Sequence, residues 1–299
     1  MMASKNHKKR SPSIGIFSKW LFLLIIGLYC QSALAKAIFY QPHSSDASVT
    51  MVQWNDLLEE LHQNGYREIV IQWTQYGSTN FVKKAGYLKQ VLHIAQAKKF
   101  KIWLGLYLPD AYYQVMEDKK LASAEFFKST ISENRRWLSQ LEIKSLVNEE
   151  SFAGWYLPME LTHNYLQQHT RQDREIILTA LKDLASSVEE KIAVSYFLAK
   201  DTTLNAAFFD TTLLRTIGLE LWLQKGDGLK KHTIVNQLIK RMDCEISVIS
   251  ENFVQTSDNN APFEAKKNNK SEVVDDVTRC HKKITFSLRY LPYSQLPLD

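Results

Sequence analysis

Residues 152–161 read FAGWYLPMEL, an apolar run with one glycine and three aromatics that ends on a single carboxylate, Glu160. A long apolar run bounded by turn residues fits a strand buried on both faces, as parallel sheets require. Seven further runs rich in Val, Ile, Phe, Tyr and Trp flank it: 38–42, 68–73, 101–106, 191–198, 218–224, 244–250 and 284–291. The quoted stretch is therefore the fourth strand of eight.

Helical period fills the gaps at 51–63, 83–99, 121–147, 163–188, 203–216, 229–242 and 272–281. Trp54, Leu57, Leu58 and Leu61 follow the spacing that buries one helix face, and Asn64-Gly65 supplies a left-handed stop. Alternating strands and helices predict a parallel sheet with helical crossovers. Eight strands favour a closed (β/α)8 TIM barrel over an open sheet, and no glycine-rich phosphate turn follows the first strand at Gln41-Pro42. One polar segment, Gln255 to Ser271, interrupts the pattern and reads as a mobile loop. It is either a lid or rim of the mouth, or a solvated insertion without a role.

Residues 1–35 read as a secretory signal peptide: five basic residues, an apolar core of 11 residues from Trp20 to Cys30, and Ala33-Leu34-Ala35 before the break. A membrane-spanning helix needs about 20 apolar residues, so no stable membrane insertion is expected after cleavage. Residues 36–299 then form one domain in a secreted or periplasmic setting. The five leader residues account for the whole excess of 37 Lys plus Arg over 32 Asp plus Glu, so the mature chain is formally neutral. Nucleic acid is thereby dropped as a partner. Cys244 and Cys280 are the cysteines left; an oxidising compartment would let them pair, and two buried thiols is the alternative.

Barrel enzymes build their sites at the C-terminal strand ends, where the loops converge on one mouth. Two carboxylates stand there, Glu160 ending strand four and Glu251 ending strand seven. Glycoside hydrolysis needs such a pair, one acid for the leaving oxygen and one carboxylate to attack or to activate water. The alternative is that each is a strand-end salt-bridge partner, for example to Arg289 or Lys225. Gln41, Gln72, Tyr107, Tyr156, Ser195, Gln224 and Tyr290 also fall at strand ends, suited to orienting sugar hydroxyls, while Trp73 and Tyr76 offer stacking faces. By alternation Tyr156 and Pro158 share the inward side with Glu160, and Trp155 faces the helices. The histidines show no HExxH spacing and Ser195 lies in no G-x-S-x-G elbow, so neither a catalytic metal nor a serine hydrolase is implied, and no cofactor.

FYQP (39–42), VIQWTQYG (70–77), IWLGLYLP (102–109), GWYLPMEL (154–161) and LWLQKGDG (221–228) resemble, in order, a family of exported bacterial proteins classified as glycosyl-hydrolase-like TIM barrels of unknown function. That resemblance implies a barrel with a sugar-directed site. More distantly, glutamates on strands four and seven look like the retaining glycosidases that place acid/base and nucleophile there. Met159 stands where that superfamily commonly has asparagine, and Lys225 where the closer family tends to carry an acid. The expectation is an exported glycoside hydrolase-like protein, with Glu160 as acid/base and Glu251 as nucleophile. A non-catalytic carbohydrate-binding or scaffold protein of an envelope or exopolysaccharide system is the alternative, and a transglycosylase using the same pair is a further one.

Overall fold

The computed structural model describes residues 36–298 apart from 83–85, 118–122, 141–144, 199–202, 226–232, 243, 245, 258–263 and 268–279. The signal-peptide reading lies outside these residues, as does most of the helix expected over 272–281.

Eight parallel strands close into a barrel: β1 (Lys36–Tyr40), β2 (Tyr66–Ile71), β5 (Lys101–Gly105), β7 (Phe152–Thr162), β8 (Ile192–Leu198), β9 (Glu220–Lys225), β10 (Ser247–Glu251) and β13 (Lys283–Phe286), with β13 pairing back to β1. Two small sheets sit outside that ring. β3 (Gln75–Tyr76), β4 (Thr79–Asn80) and β6 (Tyr107–Leu108) form one, and β11 (Phe253–Gln255) with β12 (Ala265–Lys267) forms an antiparallel ribbon. The helices are α1 (Met51–Gln63), α2 (Tyr87–Ala97), α3 (Tyr112–Glu117), α4 (Ala124–Gln140), α5 (His163–Gln168), α6 (Arg171–Ala185), α7 (Leu204–Thr216) and α8 (Thr233–Arg241). This is a (β/α)8 TIM barrel.

Local chemistry explains the element ends. Thr50 accepts from the Gln53 backbone while the Gln53 side chain reaches back to Thr50, a reciprocal cap that starts α1. Trp54, Leu57, Leu58 and Leu61 are its buried residues, and Gly65, at φ 84°, turns the chain into β2.

The barrel interior is an aromatic plug. Phe39 packs edge-on against Tyr156 and Trp222, and Trp222 meets Trp103 at 5.1 Å; Ala37 and Ala193 leave the room these rings occupy. At the N-terminal end Glu68 accepts the Trp103 indole N–H and pairs with Lys282, whose ammonium lies over both tryptophan rings. Glu220 accepts the Trp222 indole N–H and faces Lys191. Trp103 and Trp222 therefore belong to the floor of the barrel and offer no face to a ligand at the mouth.

Gly154 fits the same packing. A Cβ there would lie 2.6 Å from the Trp103 ring and 2.8 Å from the Lys191 carbonyl, and φ is 147°. Only glycine passes this point, where the register to β5 also shifts.

Two expectations are corrected. The segment read as a mobile loop over 255–271 contributes Gln255 and Ala265–Lys267 to the β11–β12 ribbon, because residues on either side of it pair across a hairpin. The last strand, expected over 284–291, ends at Phe286; Leu288–Tyr290 form a short 3-10 turn instead. That turn carries Arg289 inward, where it binds Asp46 with both partners buried, and donates to the Gln41 carbonyl.

Candidate active site

β7 contains the device that delivers Glu160 to the mouth. Leu157 pairs with Val194 and Glu160 with Ser195, so Pro158 and Met159 bulge out of the ladder. Proline has no N–H to lose there, which suits it to a bulge. Two extra residues restore the alternation, so Tyr156 and Glu160 share the inward side. Trp155 and Met159 pack in the layer between barrel and helices, which leaves Met159 remote from any ligand hydroxyl at the mouth.

Glu160 is partly exposed at the rim. Burial against its surroundings raises its pKa to about 7, and the nearby Gln224 side chain opposes that rise. Gln224 also donates through Nε2 to Glu251 Oε1 at 3.4 Å. Strands four, six and seven thus bring Glu160, Gln224 and Glu251 together. Gln224 and Glu251 are buried at the end of the barrel interior.

Two tyrosines that sequence reading missed wall this corner. The Tyr112 hydroxyl donates to the Glu160 main-chain oxygen at 3.2 Å, and Tyr112 packs edge-on against Tyr113. Burial raises both phenols first, and the charge of Glu160 adds to it. Their signal was in the sequence: Tyr112 and Tyr113 come just past the third strand's end at Pro109-Asp110, on the side of the barrel that faces the mouth.

The other candidates divide by position. Gln72 is buried, and among the described residues its Oε1 has no hydrogen-bond partner. The bend of β2 at Gln72 comes so close to β5 that a Cβ on Gly105 would stand 2.2 Å from the Gln72 carbonyl oxygen. Gln41 accepts from the Ser287 hydroxyl at 3.3 Å. Tyr107 and Tyr76 are partly exposed on the small β3–β4–β6 sheet, their phenols raised by burial and then by Asp110. Trp73 is buried, its indole N–H on the Pro42 carbonyl and its ring against Tyr76 at 4.9 Å, so Tyr76 carries the accessible face of that pair.

Three residues stand deeper than their strand-end positions suggest. Tyr156 and Ser195 are bonded to one another at 2.6 Å, and Tyr156 stacks on Trp222, so they support the mouth from beneath. Tyr290 is buried in the 3-10 turn and packs against Phe253. Burial and partners already made inside the protein take these side chains out of the accessible surface. Outside the ring, His163 Nδ1 lies 2.6 Å from Asp210, which also accepts from Tyr196; this cluster ties the start of α5 to α7.

Cys244 and Cys280 form a disulfide, with Cα atoms 5.2 Å apart. Among the described residues no group of three or more His, Cys, Asp or Glu is arranged to hold a metal ion, and no helix is long and apolar enough to cross a membrane.

A closed (β/α)8 barrel with two carboxylates at its C-terminal mouth defines the class of this protein, a TIM barrel. Residues 35–281 match the family described as "Domain of unknown function (DUF4434)", and the chain belongs to that family. It is 26% identical over 292 residues to "Uncharacterized protein YbcH" of Escherichia coli K12, covering 92% of this chain and 97% of that protein. Among solved structures it is similar to a "putative alpha-L-fucosidase" from Bacteroides thetaiotaomicron, with a TM-score of 0.57, 15% identity and 88% of each chain covered. A GH18 chitinase from Pseudoalteromonas aurantia aligns at a TM-score of 0.45 and 12% identity over 85% of this chain and 93% of that one, too distant to bear on the site. At these identities the structural likeness establishes the fold alone.

Proposed function

We propose that this protein is an exported glycoside hydrolase acting on a polysaccharide or oligosaccharide, with Glu160 as general acid/base and Glu251 as nucleophile. The observation that carries the reading is the pair of strand-end glutamates on strands four and seven of one barrel, Glu160 with its pKa raised to about 7 by burial and Glu251 accepting from the Gln224 amide. Glu160, protonated up to about pH 7, gives its proton to the glycosidic oxygen as the Glu251 carboxylate attacks the anomeric carbon and the C–O bond to the leaving sugar breaks. Water then donates a proton to Glu160 and attacks the same carbon, which releases Glu251. Retention follows if the carboxyl groups stand about 5 Å apart; a gap of roughly 6.5 to 9.5 Å would admit water and invert the centre.

Gln41, Gln72 and Tyr107 would meet sugar hydroxyls, and Tyr76 would stack on a sugar face. The leader and the Cys244–Cys280 disulfide support an oxidising compartment outside the cytoplasm. The test is turnover of a glycan panel by the purified protein and by its Glu160→Gln and Glu251→Gln variants. Loss in both variants is expected; equal activity in all three ends the reading.

One observation favours a second reading, a carbohydrate-binding protein without turnover. Met159 packs among the helices where a sugar-binding asparagine would stand in the retaining enzymes, so that hydroxyl contact is missing from β7. Glycan binding by calorimetry, with no product formed by the wild type, selects it.

A further inference from the structure

We propose that Gln72 is the specificity-determining residue of the mouth. Its carboxamide oxygen is reserved for a ligand hydroxyl, so the site takes a neutral sugar that keeps that hydroxyl free and rejects acidic sugars. This rests on the sugar-directed reading of the mouth and is independent of turnover.

The strand ladder places that oxygen. Val70 lies in the aromatic plug, in register with Phe39 on β1 and Trp103 on β5. The ladder continues to Gln72, whose N–H donates to the Tyr40 carbonyl at 2.9 Å, so alternation turns its side chain inward above the plug. The chain beyond it is fixed as well. The Thr74 N–H and hydroxyl both donate to the Gly105 carbonyl, at 2.8 and 2.7 Å, and Thr74 accepts the Trp137 indole N–H from α4. Gly105, with no side chain, is what lets the β2 backbone come this close.

Gln72 is 2% exposed, and among the described residues its Oε1 receives no hydrogen bond. The donors of the plug beneath it are committed elsewhere. The Trp103 indole N–H goes to Glu68, the Trp222 indole N–H to Glu220, and the Tyr156 and Ser195 hydroxyls are paired with each other. A donor for Gln72 therefore has to arrive through the mouth. A sugar hydroxyl supplies one, whereas a carboxylate brings only acceptors. The ring of strand ends also holds Glu160 and Glu251, and the guanidinium of Arg289 is already paired with Asp46. A uronate would set its charge against those two carboxylates, which selects against it.

The experiment is calorimetric titration of the full mature protein with oligosaccharides of glucose, galactose and mannose, with their single-deoxy analogues, and with oligogalacturonate. It is repeated in a Glu160→Gln background for any sugar that the wild type cleaves. Gln72→Met, close to glutamine in shape but without its amide, is the variant, and Gln72→Leu serves if that one does not fold. Wild type is expected to bind a neutral oligosaccharide and not oligogalacturonate, and Gln72→Met should weaken that binding by at least about tenfold. One deoxy analogue should lose as much against wild type, yet bind the variant within about twofold of its parent sugar, because the missing hydroxyl and Gln72 are partners. A merely structural side chain would lower stability when replaced. Here the urea midpoint should stay unchanged or rise, since the variant removes an unpaired buried carbonyl. Neutral-sugar affinity that stays within about twofold of wild type in the variant means that water alone meets Gln72, and it overturns the proposal. Tighter binding of oligogalacturonate, or no binding of any neutral sugar by the wild type, overturns it too. Turnover with binding independent of Gln72 would keep the hydrolase reading and sink this one; binding that depends on Gln72 without turnover would do the reverse.

Discussion

The hydroxyls of Tyr156 and Ser195 stand 2.6 Å apart, both side chains buried, directly beneath the strand end that carries Glu160. Each satisfies the other, so removing one strands its partner. Ser195→Ala should destabilise the fold by about 1–3 kcal/mol, the usual result of leaving a buried hydroxyl unpaired. The double variant Ser195→Ala/Tyr156→Phe should lose less than the sum of the two single changes. Urea denaturation of the three variants measures it.

Gly154→Ala should be among the most damaging single-methyl additions in the chain. The new Cβ meets the Trp103 ring and the Lys191 backbone at under 3 Å, and the backbone sits at a φ of 147° that side chains rarely adopt. Strain and overpacking together suggest a loss of about 2–4 kcal/mol, read as a lower urea midpoint with an unchanged slope.

The Asp46–Arg289 pair is fully buried, and Asp46 also accepts from the Tyr40 hydroxyl and the His43 N–H. Asp46→Ala leaves the guanidinium without its counter-charge and should cost about 3–5 kcal/mol. Replacing both partners by apolar residues should cost less. Because Arg289 also donates to the Gln41 carbonyl, Asp46→Ala should weaken any glycan binding that uses Gln41, as calorimetry would record.

Glu160 should make stability fall with rising pH. Its folded pKa of about 7 lies above the 4.5 of an ordinary glutamate, so the native state binds the extra proton between those values. Stability due to this group is complete below about pH 4.5 and is lost as pH rises through 7. Glu160→Gln, which mimics the protonated form, should therefore be more stable than wild type at pH 8 by on the order of 2 kcal/mol, and nearly equal to it at pH 4. Denaturation at the two pH values decides it, and a difference of the same size at both would contradict it. In turnover the same group should place the alkaline limb of the rate profile near pH 7.

Period and strand count were local properties, and they were legible: all eight barrel strands follow from short apolar runs, and α1 from its helical spacing of apolar residues. The strand-end rule also pointed to Glu160, Gln224 and Glu251, because a parallel barrel brings every strand's C-terminal end to one face. What the chain order does not contain is depth. Tyr156, Ser195 and Trp222 look like neighbours of the mouth in sequence, yet ring packing across the barrel places them in its floor. Tyr112 and Tyr113 sit past a strand end and reach Glu160 only because α3 folds back over β7.

The stretch 152–161 shows the division most closely. Its apolar run, its glycine and its terminal carboxylate determine a buried strand with a charged end. The two-residue bulge at Pro158-Met159, the Trp103 ring that excludes any side chain at Gly154, and the Tyr112 hydroxyl on the Glu160 carbonyl depend on partners from elsewhere in the chain. Periodicity reports which face of an element is buried, whereas the distance between two side chains far apart in sequence exists only once the barrel has closed.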